Sequence, residues 1–168
     1  EILLEPGYRG GTVPEIQKKP ITSYVEKLVD GKLEGYDTKH FEINVLSAER
    51  IFVEKVFALK EIYDKDNGET LQKKTRHYYD IYKLLQTNEV QALLNDKTKL
   101  ESIVADINEI SHKYYDLEPV VWDDLINHIA LKPDGELFNN LKQGYKNDKF
   151  LYYNQIEFEE IISALKNL

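Results

Sequence analysis

The feature that most constrains the fold is a change in the spacing of apolar residues at Ser47. Before that residue, Phe41, Ile43 and Val45 alternate with polar neighbours, which predicts a half-buried strand over residues 40–46. After it the spacing is helical, and Ser47 is a suitable N-cap. Helices are predicted over residues 47–63, 70–85, 89–94, 97–114, 119–129, 134–145 and 157–168. A chain with this pattern folds mainly into helices that follow a small amount of strand.

The start of the chain is predicted to contain one further strand. Residues 2–5 have the apolar character of a strand end, a loop continues to Pro14, and Pro20 opens a short predicted helix over residues 20–29. Two strands separated by a helix do not make a self-sufficient sheet. Because the chain also begins with Glu1 and contains no Met, we expect further strands to precede it.

The predicted fold class is therefore α+β and predominantly helical. A few N-terminal strands lead into a C-terminal helical bundle. We expect two parts, residues 1–46 with the strands and residues 47–168 as a helical domain.

Composition excludes several classes of function. The absence of Cys removes disulfide frameworks, thiolate zinc sites and cysteine nucleophiles. A net charge of −8 argues against a protein that coats nucleic acid without specificity. No apolar run is long enough to span a bilayer and no signal peptide is evident, so we expect no membrane partner and a cytoplasmic location.

Lys55 is the most informative residue of the first predicted helix. At 100° per residue it falls in the middle of an apolar stripe formed by Ile51, Ala58, Leu59 and Ile62. An ammonium group in that place has to extend to solvent, pair with a carboxylate or meet an anionic ligand, because its burial alone is unfavourable. Spacing leaves these three alternatives open.

Asp80 has a similar ambiguity in the next predicted helix. Tyr78, Ile81, Tyr82 and Leu85 form its core-facing stripe. Asp80 lies outside that stripe and shares a second side with His77 and Leu84. One interpretation is an ordinary surface pair with Arg76, and the other is a partly desolvated carboxylate on a covered face.

No complete active-site motif is evident from the residues alone. The histidines His40, His77, His112 and His128 lack metal-site spacing, and Gly10-Gly11-Thr12 is typical of a flexible turn. We recognise no D-x-D pair after it. Tyr114-Tyr115 is predicted to pack in the core or in a loop rather than to stack on bases.

Two longer motifs stand out when the first two helices are read together. The first is Val45-Leu46-Ser47-x-x-Arg50-x-Phe52-x-Glu54-Lys55-x-x-Ala58-Leu59, and the second is Arg76-His77-Tyr78-Tyr79-Asp80-Ile81-Tyr82-x-Leu84. Together they resemble the C-terminal motifs of the AbiEii/AbiGii family of nucleotidyltransferase toxins. Leu131-Lys132-Pro133 and the stretch from Leu141 to Tyr145 resemble the tail of that family.

The resemblance implies a polymerase-β-like nucleotidyltransferase, the toxin of a bacterial toxin–antitoxin or abortive-infection (phage-defence) pair. The strands would then come from the edge of its catalytic sheet. Family members carry a Gly-Ser or Gly-Gly motif and a D-x-D pair that hold Mg²⁺ and the nucleoside triphosphate. We expect that set to lie outside these residues, which leaves the 168-residue chain inactive by itself. The acceptor would be tRNA or another molecule, and an antitoxin would be genetically linked.

The resemblance also assigns roles to individual residues. Lys55 and Asp80 match functional positions of the family, with Glu54, Arg76 and His77 beside them as substrate-binding residues. Lys55 would stabilise charge on the leaving pyrophosphate, while Asp80 would orient Lys55 or Arg76 or accept a proton. Glu5 would be a third acidic residue of the catalytic and metal site, in which two divalent ions clamp the reacting oxygens.

A second hypothesis belongs to a different class of function. The chain would be a non-catalytic helical interaction module that binds a protein partner, and Lys55 and Asp80 would form a buried structural pair. The nucleotide, the acceptor and the oligomeric state do not follow from the sequence.

Overall fold

The computed structural model describes residues 11, 13–21, 41–148 and 156–168. Those residues contain seven α-helices and one two-stranded antiparallel sheet, which confirms the predicted α+β, mostly helical class. The predicted strand over residues 2–5, including Glu5, lies outside the described residues, as does the predicted helix beyond residue 21.

The sheet is a ribbon of two short strands. β1 (Gln17–Ile21) pairs with β2 (Phe41–Val45), so that Gln17 lies opposite Val45 and Ile21 opposite Phe41. The prediction that Pro20 opens a helix is wrong, because Pro20 lies in β1 opposite Glu42. A proline lacks the N–H of a ladder donor and is tolerated at the edge of a sheet, and within this ribbon each strand pairs only with the other.

Seven helices follow the ribbon. They are α1 (Ala48–Asp66), α2 (Arg76–Leu85), α3 (Asn88–Leu94), α4 (Lys97–Tyr115), α5 (Trp122–Ile126), α6 (Gly135–Asn147) and α7 (Phe158–Lys166). The predicted N-cap is confirmed, since the Ser47 hydroxyl accepts a hydrogen bond from the Arg50 N–H at 3.2 Å.

Two predicted helices are shorter than expected. The predicted helix over residues 70–85 is a 3-10 turn (Leu71–Lys73) and then α2. The predicted helix over residues 119–129 shortens to α5. The Asn108 side chain bonds both the N–H and the C=O of Val120, at 3.0 and 2.8 Å, which keeps that backbone from joining the helix.

The core is organised around α1, which packs against α2, α3, α4 and α5. Its fully buried apolar side chains are Phe52, Val53, Val56 and Leu59. Tyr78 and Ile81 of α2 face this core as their spacing predicts, and the Tyr78 hydroxyl donates to the backbone oxygen of Ala130. Burial raises the pKa of Tyr78, so this hydroxyl stays a donor.

Within the described ranges, every helix is too short or too polar to cross a membrane.

Candidate functional site

Lys55 lies at the margin of the core rather than at its centre. Leu59 is fully buried, but Ile51, Ala58 and Ile62 are only half-buried. The predicted stripe is therefore displaced from the true core face of α1, which is centred on Phe52 and Val56. Lys55 borders that face with its side chain 23% exposed, a position from which an ammonium group reaches both a protein partner and solvent.

An ion pair joins Lys55 of α1 to Asp80 of α2. Lys55 Nζ donates to Asp80 Oδ2 at 2.7 Å, and the Asp80 side chain is 37% exposed. The pair thus brings together one residue from each of the two motifs. Because both side chains keep contact with solvent, the pair is accessible to a ligand, unlike a sealed core ion pair.

His77 and Arg76 lie at the start of the same helix as Asp80. Arg76 is exposed. His77 is half-buried, and its Nδ1 atom is buried without a hydrogen-bond partner among the described residues. Burial lowers the pKa of His77 to about 4, and the positive charges of Lys55 and Arg76 act in the same direction. At neutral pH the imidazole is therefore uncharged.

Glu54 belongs to a second polar cluster, centred on Arg50. The Arg50 side chain is 1% exposed and its Nε donates to Glu54 Oε1 at 2.7 Å. Its Nη1 donates to Asp106 on α4 and to the backbone oxygen of Val13, the latter at 2.9 Å. Two carboxylates and a carbonyl thus satisfy the buried guanidinium, as a buried charge requires.

The Arg50 cluster also excludes a side chain at Gly11. A Cβ atom there would lie 2.1 Å from Asp106 Oδ2 and 2.2 Å from Arg50 Nη2. A side chain at residue 11 would therefore have to displace the Asp106 carboxylate and the Arg50 guanidinium. Gly11 serves in this structure as a close-packing residue against α1 and α4.

A cavity of about 250 Å³ lies between α1 and α4, and we call it the α1–α4 cavity. Its lining includes Lys55 and Glu54 from the predicted site. The remaining lining residues are Arg50, Ile51, Phe57, Ala58, Glu61, Ile107, Ile110, Ser111 and Tyr115. The cavity therefore borders Lys55 of the ion pair and has both apolar and ionised walls.

The sequence reasoning missed this cavity. Tyr115 is 49% exposed and Tyr114 is 59% exposed, so neither tyrosine packs in the core. Ser111 and Tyr115 are four residues apart on α4 and share a face, which helical spacing shows. The packing of α4 against the Lys55 side of α1 is a tertiary contact, and no sequence pattern predicts it. The sequence did not predict the Arg50 cluster either, because Asp106 lies far from Arg50 in the sequence.

Acidic residues in the described ranges do not form a magnesium site. The expectation that the chain contains no D-x-D pair is wrong, because Asp64-Lys65-Asp66 has that spacing. Both carboxylates, however, have structural partners. Asp64 contacts Lys60 and His128, and Asp66 accepts the N–H groups of Gly68 and Thr70 at 3.1 Å each. No group of three His, Asp or Glu in these ranges is placed to hold a metal ion, so the described residues do not fit Mg²⁺.

These features define a mostly helical α+β domain that presents an accessible lysine–carboxylate pair beside a cavity. The family model described as nucleotidyl transferase AbiEii toxin, type IV TA system, matches residues 1–156. The chain therefore belongs to the AbiEii nucleotidyltransferase toxin family. Membership implies a nucleotidyltransferase-type toxin of a type IV toxin–antitoxin system, with a linked antitoxin as partner. No curated protein and no solved structure matched the chain.

Proposed function

We propose that this chain supplies Lys55 and Asp80 to the active site of a toxin that transfers a nucleotide from a nucleoside triphosphate to an acceptor such as tRNA. The observation that carries the proposal is the 2.7 Å ion pair between the two residues, which lies at an accessible margin of the core. The two helices that provide it contain the two motifs of the family. A structural pair would satisfy the same distance, so the test has to separate activity from folding.

The chemical role of Lys55 follows from its charge and its exposure. An ammonium group fixed beside a cleft stabilises the negative charge that accumulates on a leaving pyrophosphate. The ammonium has three N–H donors, and Asp80 Oδ2 accepts one of them. The other two N–H donors can point toward phosphate oxygens.

Asp80 acts in this proposal as a positioning residue for Lys55. Its carboxylate fixes the ammonium at one place and partly balances its charge while the triphosphate is absent. Uncharged His77 adds no positive charge of its own at neutral pH, so the local field of the site comes from Lys55, Arg76 and Asp80. Arg76 and His77 would contact substrate from the exposed start of α2.

The metal-binding part of the active site would come from residues outside those described. Mg²⁺ is general in this chemistry, and the described carboxylates do not provide a site for it. Glu5 is our candidate from this chain for a metal ligand. Under this proposal residues 1–46 belong to the catalytic α/β domain, and residues 47–168 complete its cleft. The protein would act in the cytoplasm, in defence against phage.

Substitution of the pair in the complete gene product tests the proposal. We expect Lys55→Ala and Asp80→Ala each to abolish growth arrest when the toxin is expressed without its antitoxin, because the triphosphate loses its cation or the cation loses its position. The measurement is colony formation after induction, with soluble protein and far-UV circular dichroism recorded for each variant.

Lys60→Ala is the matched control. Lys60 lies on the same helix and also pairs with an aspartate, Asp64, four residues away. We expect this variant to arrest growth as the unmodified toxin does. Full growth arrest by folded Lys55→Ala or Asp80→Ala protein would overturn the catalytic proposal and favour the interaction module with a structural pair.

A further inference from the structure

Two adjacent lysines, Lys73 and Lys74, have no role in the site described above. They lie at the end of the 3-10 turn, directly before α2, and both are exposed. Neither forms an ion pair with another residue in the part of the chain that the structure describes. A compact charge on a flexible stem, without a carboxylate partner, is available to an external anion.

Lys73 lies at a place that is separate from the α1–α4 cavity. It lines two neighbouring cavities between residues 67–73 and α6, with volumes of about 600 and 350 Å³. The residues that line these two cavities include none of those that line the α1–α4 cavity. An anion that meets Lys73 is therefore not the triphosphate that the proposed function assigns to Lys55.

Lys74 and Arg76 connect the two places. Besides burial and the charges named above, the charge of Lys74 also lowers the pKa of His77. Because such an effect weakens with distance, Lys74 lies close to the candidate site, whereas the preceding residue, Lys73, lies against α6. We call Lys73, Lys74 and Arg76 the basic run. It extends from the cavities beside α6 to the candidate site.

A run of cations of this kind matches a ligand with several phosphates in a row. A nucleic-acid strand has that property, and its phosphates are the groups that Lys and Arg contact most often. Between the phosphates it presents sugars and bases, which need polar but mostly uncharged partners. Amide and hydroxyl side chains that donate and accept hydrogen bonds line the cavities beside α6: Asn67, Thr70, Gln72, Asn140, Gln143 and Asn147.

Three carboxylates share this lining, those of Glu69, Glu136 and Asp148. They repel phosphates, so the backbone of a bound strand would follow the basic run rather than the floor of the cavities. A carboxylate accepts hydrogen bonds from the amino groups of bases and from ribose hydroxyls. The charges of this surface therefore suit a strand whose phosphates lie on the lysines and whose sugars and bases face α6.

We propose that the basic run binds the phosphate backbone of a nucleic-acid acceptor and guides the strand past α6 toward the Lys55–Asp80 pair. This inference rests on the proposed function, and it makes the acceptor a nucleic acid rather than a protein. The net charge of −8 opposes binding over the rest of the surface, so contact is confined to this run.

RNA binding by the complete gene product tests the proposal. The probe is a fluorescently labelled RNA hairpin with a single-stranded 3′ end, followed by anisotropy between about 50 and 200 mM KCl. We expect the double variant Lys73→Ala/Lys74→Ala to bind the hairpin about tenfold more weakly. The slope of log affinity against log salt concentration should become less steep by roughly 1 to 2, because two phosphate contacts are lost. Lys73→Arg/Lys74→Arg keeps both charges and should bind as the unmodified protein does.

The matched control is Lys18→Ala/Lys19→Ala, which removes the same charge from two adjacent exposed lysines in β1. It should keep the affinity and the salt dependence of the unmodified protein. Calorimetric titration with inorganic tripolyphosphate and Mg²⁺ separates the two sources of phosphate, and the Lys73→Ala/Lys74→Ala variant should bind tripolyphosphate normally.

Four results would overturn the proposal. They are an unmodified protein that does not bind the hairpin, an unchanged affinity and salt slope in Lys73→Ala/Lys74→Ala, an equal loss in the β1 control, and a loss of tripolyphosphate binding in place of RNA binding. A failure of the proposed function has a different signature, because Lys55→Ala would then arrest growth fully whatever the RNA measurements show.

Discussion

At the residue scale, folding disfavours the charged form of His77. Burial lowers the pKa of this side chain from 6.5 to about 4, with Lys55 and Arg76 contributing in the same direction. Below about pH 6.5 the unfolded chain binds a proton that the folded chain does not bind until about pH 4. The free energy of unfolding therefore decreases as the pH falls through this interval.

Replacement of His77 should remove this part of the acid sensitivity. We expect the free energy of unfolding of His77→Gln to decrease between about pH 6.5 and pH 4.5 by ~2 kcal/mol less than that of the unmodified protein, since glutamine does not take up the proton. Urea unfolding followed by circular dichroism at both pH values measures the difference.

His112→Gln is the control for this experiment. His112 lies near the end of α4 and is exposed. Its variant should follow the pH dependence of the unmodified protein. A His77→Gln variant that keeps the full decrease between the two pH values would show that the imidazole is protonated at about the same pH in the folded and unfolded states.

At the scale of elements, α6 is held against the 3-10 turn by the absence of a side chain at Gly144. A Cβ atom at this position would lie 2.3 Å from the backbone oxygen of Gln72. Backbone atoms yield less readily than the end of a side chain. The helix and the turn therefore contact each other more closely than any other residue would permit.

The Gly144→Ala substitution should destabilise the protein by roughly 1–3 kcal/mol, the usual range for overpacking. Helix propensity alone predicts the opposite, a gain of about 1 kcal/mol, so the sign of the effect is diagnostic. Chemical denaturation measures it. Asn139→Ala, at an exposed position on α6, should change the free energy of unfolding by less than about 0.5 kcal/mol. A Gly144→Ala variant as stable as the unmodified protein would mean that α6 and the turn separate easily.

Periodicity predicted the helices well because their apolar stripes and caps are local properties. The Ser47 cap and the buried face of α2 are examples, whereas the apolar stripe predicted on α1 is displaced from its true core face. β1 was not predicted because its sequence, Gln-Lys-Lys-Pro-Ile, has no alternation of apolar and polar residues and contains a proline. Only its partner β2 makes it a strand. The start of α5 was not predicted for a similar reason, since Asn108 on another helix holds the backbone that precedes α5.

At the scale of the whole molecule, the described residues divide into a buried helical core and an exposed ribbon. All β1 residues are exposed, and β2 has no fully buried residue. By contrast Phe52, Val53 and Leu59 of α1 have no exposed surface. Local opening of the ribbon uncovers little apolar surface, so it requires less free energy than opening of α1.

Hydrogen–deuterium exchange followed by mass spectrometry should report this difference. We expect the backbone amides of β1 and β2 to exchange at least roughly 100-fold faster than those in the middle of α1. Peptides that cover α3 provide an internal reference. Equal protection of the ribbon and α1 would indicate that the ribbon is covered by further parts of the protein.

The candidate site could be predicted only in part. Lys55 and Asp80 were proposed from motifs, and the structure places their charged atoms 2.7 Å apart. Whether they act in catalysis, and whether the division at residue 46 is a domain boundary, stay predictions. The α1–α4 cavity depends on how α1 and α4 pack, which no local pattern encodes.

The Arg50 cluster has a consequence for the lifetime of the folded chain. Its guanidinium joins Val13 and Asp106, which lie 37 and 56 residues away in sequence. Closing such long loops is entropically unfavourable, so these bonds form after the local helical contacts. Interactions absent from the folding transition state slow unfolding without accelerating folding. We therefore expect the long-range bonds of Arg50 to slow unfolding of the folded chain rather than to accelerate its folding.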